Sequence, residues 1–420
     1  MPTQLEITAI FNQNIPIRKT PDKSGVFYFC NMEFIHYNPT RILFGKDQYN
    51  GIAEQIKSCT SNNKILLAFG GGSIQSNGIY SKVKEQLTDF EVTDFGGIEA
   101  NPEFDTLMKA VEIVKSKEIG FILAVGGGSV IDGVKFICGA VNYKGEDPWD
   151  VLSRKDGCVF EEALPFGTVL TLPATGSEAN SGAVISRSSF QEKRTMGGPA
   201  FFPKFSICDP SVVKTLPKRQ IANGIVDSFV HTLEQYITYP TENLLQERQA
   251  EAILSTLIEI APKLIHNPAD EKSAANLMWC ATHALNGNLR CGVPTDWTTH
   301  MIGHEMTAMY GIDHARTLAI ILPRLYSNQL ENKNEKLIQY GRRVWKIEDE
   351  DQNIPKIAID KTETFFQSLG IETKISAYSK ETNSIAETIR ERFIERGWTE
   401  MGERKAITPN DVYSIVEQSI

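Results

Sequence analysis

Asp227 and His231 stand four residues apart in GIVDSFVHTLEQY, and WTTHMIGHEMTAMYGIDHA follows with His300, His304 and His314. Residues i and i+4 share one face of a helix, so this carboxylate and imidazole can reach a single ion. The second segment brings three more imidazoles within range of the same site. Nitrogen and oxygen ligands of this kind suit Zn(II), Fe(II) or Ni(II). The chain holds seven histidines, and four of them fall in these two segments, a concentration that points to a metal centre. Spacing alone favours His300 with His304, a second i,i+4 pair. HMIGHE lacks the H-E-x-x-H order of a zincin. His283, in MWCATHALNG, reads as a packing or surface residue rather than a fifth ligand.

Two GGGS loops offer a second kind of chemistry. Gly70-Gly71-Gly72-Ser73 ends the apolar run KILLAF, and Gly126-Gly127-Gly128-Ser129 ends FILAV. Glycines at a strand-to-helix turn let the backbone approach a phosphate, while the helix N-terminus supplies free N–H groups. Neither loop is a G-x-G-x-x-G or a Walker motif, and such turns are often only tight connections. The second continues as GGGSVIDGVK, which places Asp132 and Lys135 in the first two turns of a helix, where Lys135 reads equally as a surface charge. TLPATGSEAN adds the hydroxyls of Thr171, Thr175 and Ser177, which suit either a nucleotide or a polar surface turn.

The elements that must position these residues change character along the chain. From about residue 40 to 210, strand-length runs (KILLAF 64–69, FEVTDF 90–95, FILAV 121–125, GTVLTLP 167–173) alternate with helical stretches such as EFDTLMKAVEIVKSKEIG. That alternation predicts a parallel sheet covered on both faces. From about 211 the pattern is helical: RQIANGIVDSFVHTLEQYIT, LLQERQAEAILSTLIEIAPKLI, NLMWCATHALNG and SIAETIRERFIERGW. The expected architecture is a Rossmann-like α/β nucleotide-binding domain over 32–210 and an all-helical metal-binding domain over 211–420. Catalysis would then occur in the cleft between them. Residues 1–31 lack a clear period and a signal-peptide core, and read as a flexible extension or a start assigned too far upstream.

Composition narrows the partners. The 420 residues are 41% hydrophobic and 23% charged, with a net charge of −9, so no basic patch for nucleic acid or an anionic membrane is expected. No run of eighteen apolar residues offers a membrane span. The seven cysteines are scattered without C-x-x-C spacing and read as thiols of a cytoplasmic protein.

GGGSVIDGVK, TLPATGSEANSGAVISR, GIVDSFVHTLEQY and HMIGHEMTAMYGIDHA together resemble the metal-dependent (iron-containing, group III) alcohol dehydrogenases. NPTRILFGK, AFGGGSIQSNG, DPWDVL and VPTDWTTHMIGHEMTAM look like its NADPH-dependent butanol dehydrogenase and broad-specificity aldehyde reductase branch. The resemblance runs from about residue 34 to the C-terminus. It implies a dehydroquinate synthase-like fold and a homodimer. As metal ligands it implies Asp227, His231, His300 and His314, leaving His304 for proton transfer or substrate contact. It places Gly127, Gly128 and Ser129 at a pyrophosphate and Asp132 toward a nicotinamide. Thr171 and Ser177 would lie near adenine and phosphates, and Lys193 (or its neighbour Arg194) near the nicotinamide ribose. Members that prefer NAD carry an acidic residue after the first strand. Phe69-Gly70-Gly71-Gly72-Ser73 has none, which favours NADP(H). The implied reaction is hydride transfer between nicotinamide and a small aldehyde or alcohol polarised by one divalent ion, Zn or Fe with Ni also compatible. Trp297 and Tyr310 suggest an apolar pocket. A glycerol dehydrogenase-like or dehydroquinate synthase-like enzyme would need more polar flanks than Met301, Ile302, Met306, Ala308 and Met309 provide. A non-catalytic relative would be expected to have lost a ligand or a glycine loop, and none is missing.

Overall fold

The computed structural model describes residues 33–152, 160, 162–380 and 382–420. The proposed N-terminal extension, 1–31, therefore lies outside the described residues.

Six parallel strands form the first half: β1 (Arg41–Phe44), β2 (Lys64–Phe69), β3 (Glu91–Phe95), β4 (Phe121–Gly127), β5 (Phe166–Leu172) and, after a hairpin, β8 (Phe205–Cys208). Their order across the sheet is β1-β8-β5-β4-β2-β3. The central strands are buried along almost their whole length, as near-continuous apolar runs covered on both faces should be. The edge strands β1 and β3 are half-exposed. The hairpin β6 (Ala183–Arg187) and β7 (Glu192–Met196) is antiparallel and separate from the sheet.

Sheet order explains where a ligand can enter. The chain steps from β2 outward to β3, then returns across the sheet to β4 on the other side of β2. Connections leaving β2 and β4 therefore diverge and open a crevice at the strands' C-terminal ends. Both GGGS loops stand at that switch point. The longer helices are α1 (Phe104–Lys117) and α2 (Gly128–Ala140), which starts within the second loop.

The second half is helical: α3 (Lys218–Tyr236), α4 (Leu244–His266), α5 (Glu271–Leu285), α6 (Thr298–Tyr310), α7 (His314–Asn328), α8 (Leu330–Arg343), α9 (Ile354–Ser368), α10 (Ile385–Glu395) and α11 (Pro409–Glu417). α3 runs through the centre and packs against α4, α5 and α7; from Ile221 to Tyr236 it is buried on every side. Among the described residues no helix is long and apolar enough to cross a membrane.

Two glycines set the approach of these helices. A Cβ at Gly224 would lie 2.4 Å from the Pro173 carbonyl oxygen, so only glycine lets α3 press onto the end of β5. At Gly303 it would lie 2.8 Å from Thr317 Oγ1, where α6 crosses α7.

Candidate metal centre and nucleotide cleft

α3 carries Asp227 and His231 one turn apart, α6 carries His300, and His314 is the first residue of α7. All converge on one carboxylate oxygen. Asp227 Oδ1 is 3.6 Å from His231 Nδ1, 3.9 Å from His300 Nε2 and 3.8 Å from His314 Nε2. Ligands about 2.1 Å from a common tetrahedral ion lie about 3.4 Å apart, so these separations need only a slight contraction. Donor atoms of Asp227, His300 and His314 lie within 4.8 Å of one another, and His231 stands beside them with its ring stacked on His300 at 4.6 Å.

Polar atoms test whether this set fits a cation. Asp227 Oδ1, His231 Nδ1 and His300 Nε2 are buried together and have no hydrogen-bond partner among the described residues. Unpartnered buried polar atoms are costly, and a cation placed among them would satisfy all three at once. Burial holds His231 and His300 down at about 4, and holds His304 and His314 well below the usual histidine range. Neutral imidazoles keep the lone pair that a metal requires. The residues fit the group.

Glu234 belongs to this centre and was not singled out from the sequence. Its carboxylate accepts a short hydrogen bond from His300 Nδ1 and another, at 3.2 Å, from the His300 backbone N–H. A carboxylate behind an imidazole fixes its tautomer and turns the other nitrogen toward the ion. Burial, and then the charge of Asp296, push the Glu234 carboxyl well above the usual range. The signal was present: Asp227, His231 and Glu234 follow i, i+4, i+7, one face of one helix. Asp313, which precedes His314, is held by Arg219 (2.8 Å) and Asn223 (3.0 Å), and so anchors the start of α7 to α3.

The ring of His304 lies 6.0 Å from that of His300 and 5.0 Å from that of His314, and it lines the same cavity. Trp297 stands edge-on to His231 and His300, whereas Tyr310 does not line the cavity. His283 packs edge-on against Trp279 at 4.4 Å, outside the cavity lining.

One cavity of about 1370 Å³ joins the ligand set to the glycine loops. Gly70, Gly71, Ser73, Gly127, Gly128, Ser129, Asp132, Thr175, Ser177 and Lys193 all line it, as do the four ligands and His304. Gly72 and Thr171 do not. Gly72 turns with φ +98° behind the loop, and Thr171 is held within β5. Gly71 is open: an added Cβ would meet nothing within 4 Å. Gly128 is tight, since its Cβ would strike Thr175 Oγ1 at 2.4 Å.

Several of these polar groups hold one another. Ser177 Oγ donates to Asp132 Oδ1 at 2.6 Å, the Val184 N–H donates to Asp132 Oδ2 at 2.9 Å, and Ser129 Oγ donates to the Ala100 carbonyl. Lys135 is fully buried, which corrects its reading as a surface charge. Its Nζ donates to Ser177 Oγ (2.8 Å), Asn180 Oδ1 (3.0 Å) and the Gly182 carbonyl (2.7 Å). Lys193 is also buried, which lowers it to about 8, and it donates to Asn101 Oδ1 at 3.2 Å.

Comparison with known proteins agrees with this geometry. Residues 39–210 match the family model "Iron-containing alcohol dehydrogenase", and residues 221–420 match "Fe-containing alcohol dehydrogenase family, C-terminal". The chain is 48% identical to the NADPH-dependent aldehyde reductase YqhD of Escherichia coli over 89% of its own length and 95% of that protein. It is 39% identical to a probable NADH-dependent butanol dehydrogenase of Bacillus subtilis, over 92% and 99%. The crystal structure of E. coli YqhD superposes with a TM-score of 0.89 at 45% identity, covering 92% of this chain and 99% of that one.

Proposed function

The chain belongs to the iron-containing alcohol dehydrogenase family, and on that premise we propose that it interconverts short-chain aldehydes and primary alcohols with NADP(H) at one divalent cation. The observation that carries this reading is the continuity of the cavity from the glycine loops to the Asp227 carboxylate. When bound, the cation (Zn or Fe, with Ni also compatible) supplies Lewis acidity to a substrate oxygen, and NADP(H) gives or accepts hydride.

The chain's own residues do the rest. Asp227, His231, His300 and His314 would hold the cation, with Glu234 fixing the His300 ring. Backbone N–H groups at Gly127 and Gly128, at the start of α2, would receive the pyrophosphate. Gly70, Gly71 and Ser73 leave room for a 2′-phosphate with no carboxylate to repel it. Lys193 and Asp132, both on the cavity lining, would orient the nicotinamide end. Trp297 walls the metal side and limits water. His304, neutral in its buried position, carries one ring N–H and one lone pair, so it can pass a proton between substrate and solvent through Nδ1 and Nε2.

The half-exposed edge strand β1, with the exposed Phe44 at its end, supports a homodimer formed along that edge. The described cysteines are free thiols, in keeping with a cytoplasmic protein.

NADPH oxidation with butanal, before and after chelation and with metal content measured in parallel, tests the reading. Turnover should vanish with the metal and return when a divalent ion is restored. Undiminished turnover in verified metal-free protein, or no turnover with any short-chain aldehyde, would overturn it.

A further inference from the structure

The β6–β7 hairpin is fastened on both sides of the cleft. On the α/β side, the Ser186 N–H donates to the Pro102 carbonyl at 2.9 Å. Arg187 pairs with Asp147 at 2.9 Å, and the Ser188 N–H donates to Glu103 at 3.0 Å. On the helical side the connection runs through α10. Arg392 Nε donates to Glu305 Oε2 at 2.5 Å, while its NH2 group donates to the Gln191 carbonyl at 2.6 Å. Arg396 forms a short bond to the other Glu305 oxygen and lies 3.8 Å from Glu192 Oε1.

Each end of this connection adjoins a residue of the candidate site. Glu305 is 1% exposed and follows His304 on α6, one residue along the helix that also carries His300. Gln191 is the left-handed turn residue, φ +50°, from which β7 starts, and Lys193 is the second residue of that strand. Side chains alternate along a strand, so Glu192 and Arg194 share one face while Lys193 takes the other, toward the cavity. A guanidinium presents donors in a fixed fork and can bond two acceptors at a set separation; an ammonium cannot do so with the same geometry.

We propose that Arg392 is a positioning residue: by bonding Glu305 and the Gln191 carbonyl at once, it holds the Lys193 strand at a fixed distance from the helix of His300 and His304. The inference rests on the reading of the cavity as an oxidoreductase site. Arg392 touches no part of the cavity itself, so its effect on turnover passes through the hairpin.

Arg392→Lys is the primary test, because it keeps a cation beside the buried Glu305 carboxylate while breaking the two-acceptor geometry. Where that protein does not fold, Arg392→Gln is the second variant: it removes the fork and leaves Arg396 paired with Glu305. The readouts are amide hydrogen exchange, metal content, and kcat and KM with NADPH and butanal. Exchange over 188–196 should accelerate while exchange over 298–310 and metal content match the wild type. Misalignment of reacting groups by about 1 Å costs up to about 100-fold, so kcat should fall about tenfold to 100-fold with little change in the aldehyde KM. Unchanged exchange in the hairpin overturns the proposal, as does faster exchange with unchanged kcat. Metal loss also overturns it, since Arg392 would then act on the ligand helix through Glu305 alone. If the wild type reduces no aldehyde, the oxidoreductase reading fails on its own. Hydrogen exchange still reports whether Arg392 secures the hairpin.

Discussion

Replacing Glu234 by Gln should weaken metal binding without disturbing the nucleotide half of the cavity. In the wild type both carboxylate oxygens accept from His300, one from Nδ1 and one from the backbone N–H. An amide offers a single acceptor. Whichever way the introduced amide turns, its NH2 group must face one of two buried donors. One hydrogen bond is lost and one donor stranded, a cost of about 1–3 kcal/mol. Removing the partner behind a metal-ligating histidine typically lowers affinity about 10-fold to 100-fold, or about 1.4–2.7 kcal/mol, which agrees with the hydrogen-bond count. Competition with a chromogenic chelator measures the metal Kd directly, and fluorescence titration measures NADPH binding in the same preparations. The expected result is a metal Kd raised about 10-fold to 100-fold, with the NADPH Kd held within about twofold of wild type. A metal Kd unchanged in both Glu234→Gln and Glu234→Ala would refute the reasoning, because His300 would then be oriented without its carboxylate.

Three further outcomes follow from the same contacts. Asp227→Ala removes the oxygen on which three imidazoles converge, so bound metal measured by plasma mass spectrometry should fall to background and turnover with it, while NADPH still binds. Gly71→Asp fits without a clash and sets a carboxylate on the cavity wall. Repulsion of a 2′-phosphate there is worth about 1–4 kcal/mol, so kcat/KM should shift from NADPH toward NADH by about one to three decades. Lys135→Met removes three hydrogen bonds and a positive charge that offsets the burial of the Asp132 carboxyl, so urea unfolding should show a loss of about 1–3 kcal/mol with metal content retained.

The sheet was largely legible because its central strands are apolar runs: KILLAF, FILAV and GTVLTLP lie on strands, as does FEVTDF at the edge, with shifts of at most a residue or two at the ends. RILF and FSIC were missed, since four residues are too few to show a period and β1 lies at an edge. β7, EKRTM, shows no apolar run: its Glu192 is paired by Arg194 within the strand and approached by Arg396 from α10 rather than left to solvent. In the site, the pairing of Asp227 with His231 follows from helical geometry alone. His314 does not. Gly311 ends α6 with φ +65°, and His314 opens the next helix after a change of direction, so no period connects it to His300. Only the resemblance to a family singled it out over His304. The sequence leaves Lys135 open between site and surface for a related reason: position on a helix gives its face, but not that Ser177, Asn180 and Gly182 fold over it.

The two halves of the site use different parts of the chain for physical reasons. A phosphate is met by backbone N–H groups, which are free only at helix starts and turns, so its cradle forms where β2 and β4 end and the sheet order reverses. A cation needs side-chain donors held to within a few tenths of an ångström, which favours helices buried on every side, as α3 is. Joining the two requires the helical body to approach the sheet more closely than side chains ordinarily permit. Gly224 provides that approach at the Pro173 carbonyl, one turn before Asp227, and within the helical body Gly303 lets α6 cross α7 closely, one turn after His300. Each close contact lies about a turn from a ligand, where an error in helix placement would pass almost undiminished to the ligand atoms. The glycines in the helices therefore position the metal centre as directly as the glycines in the loops shape the nucleotide cradle, although none of them touches a metal.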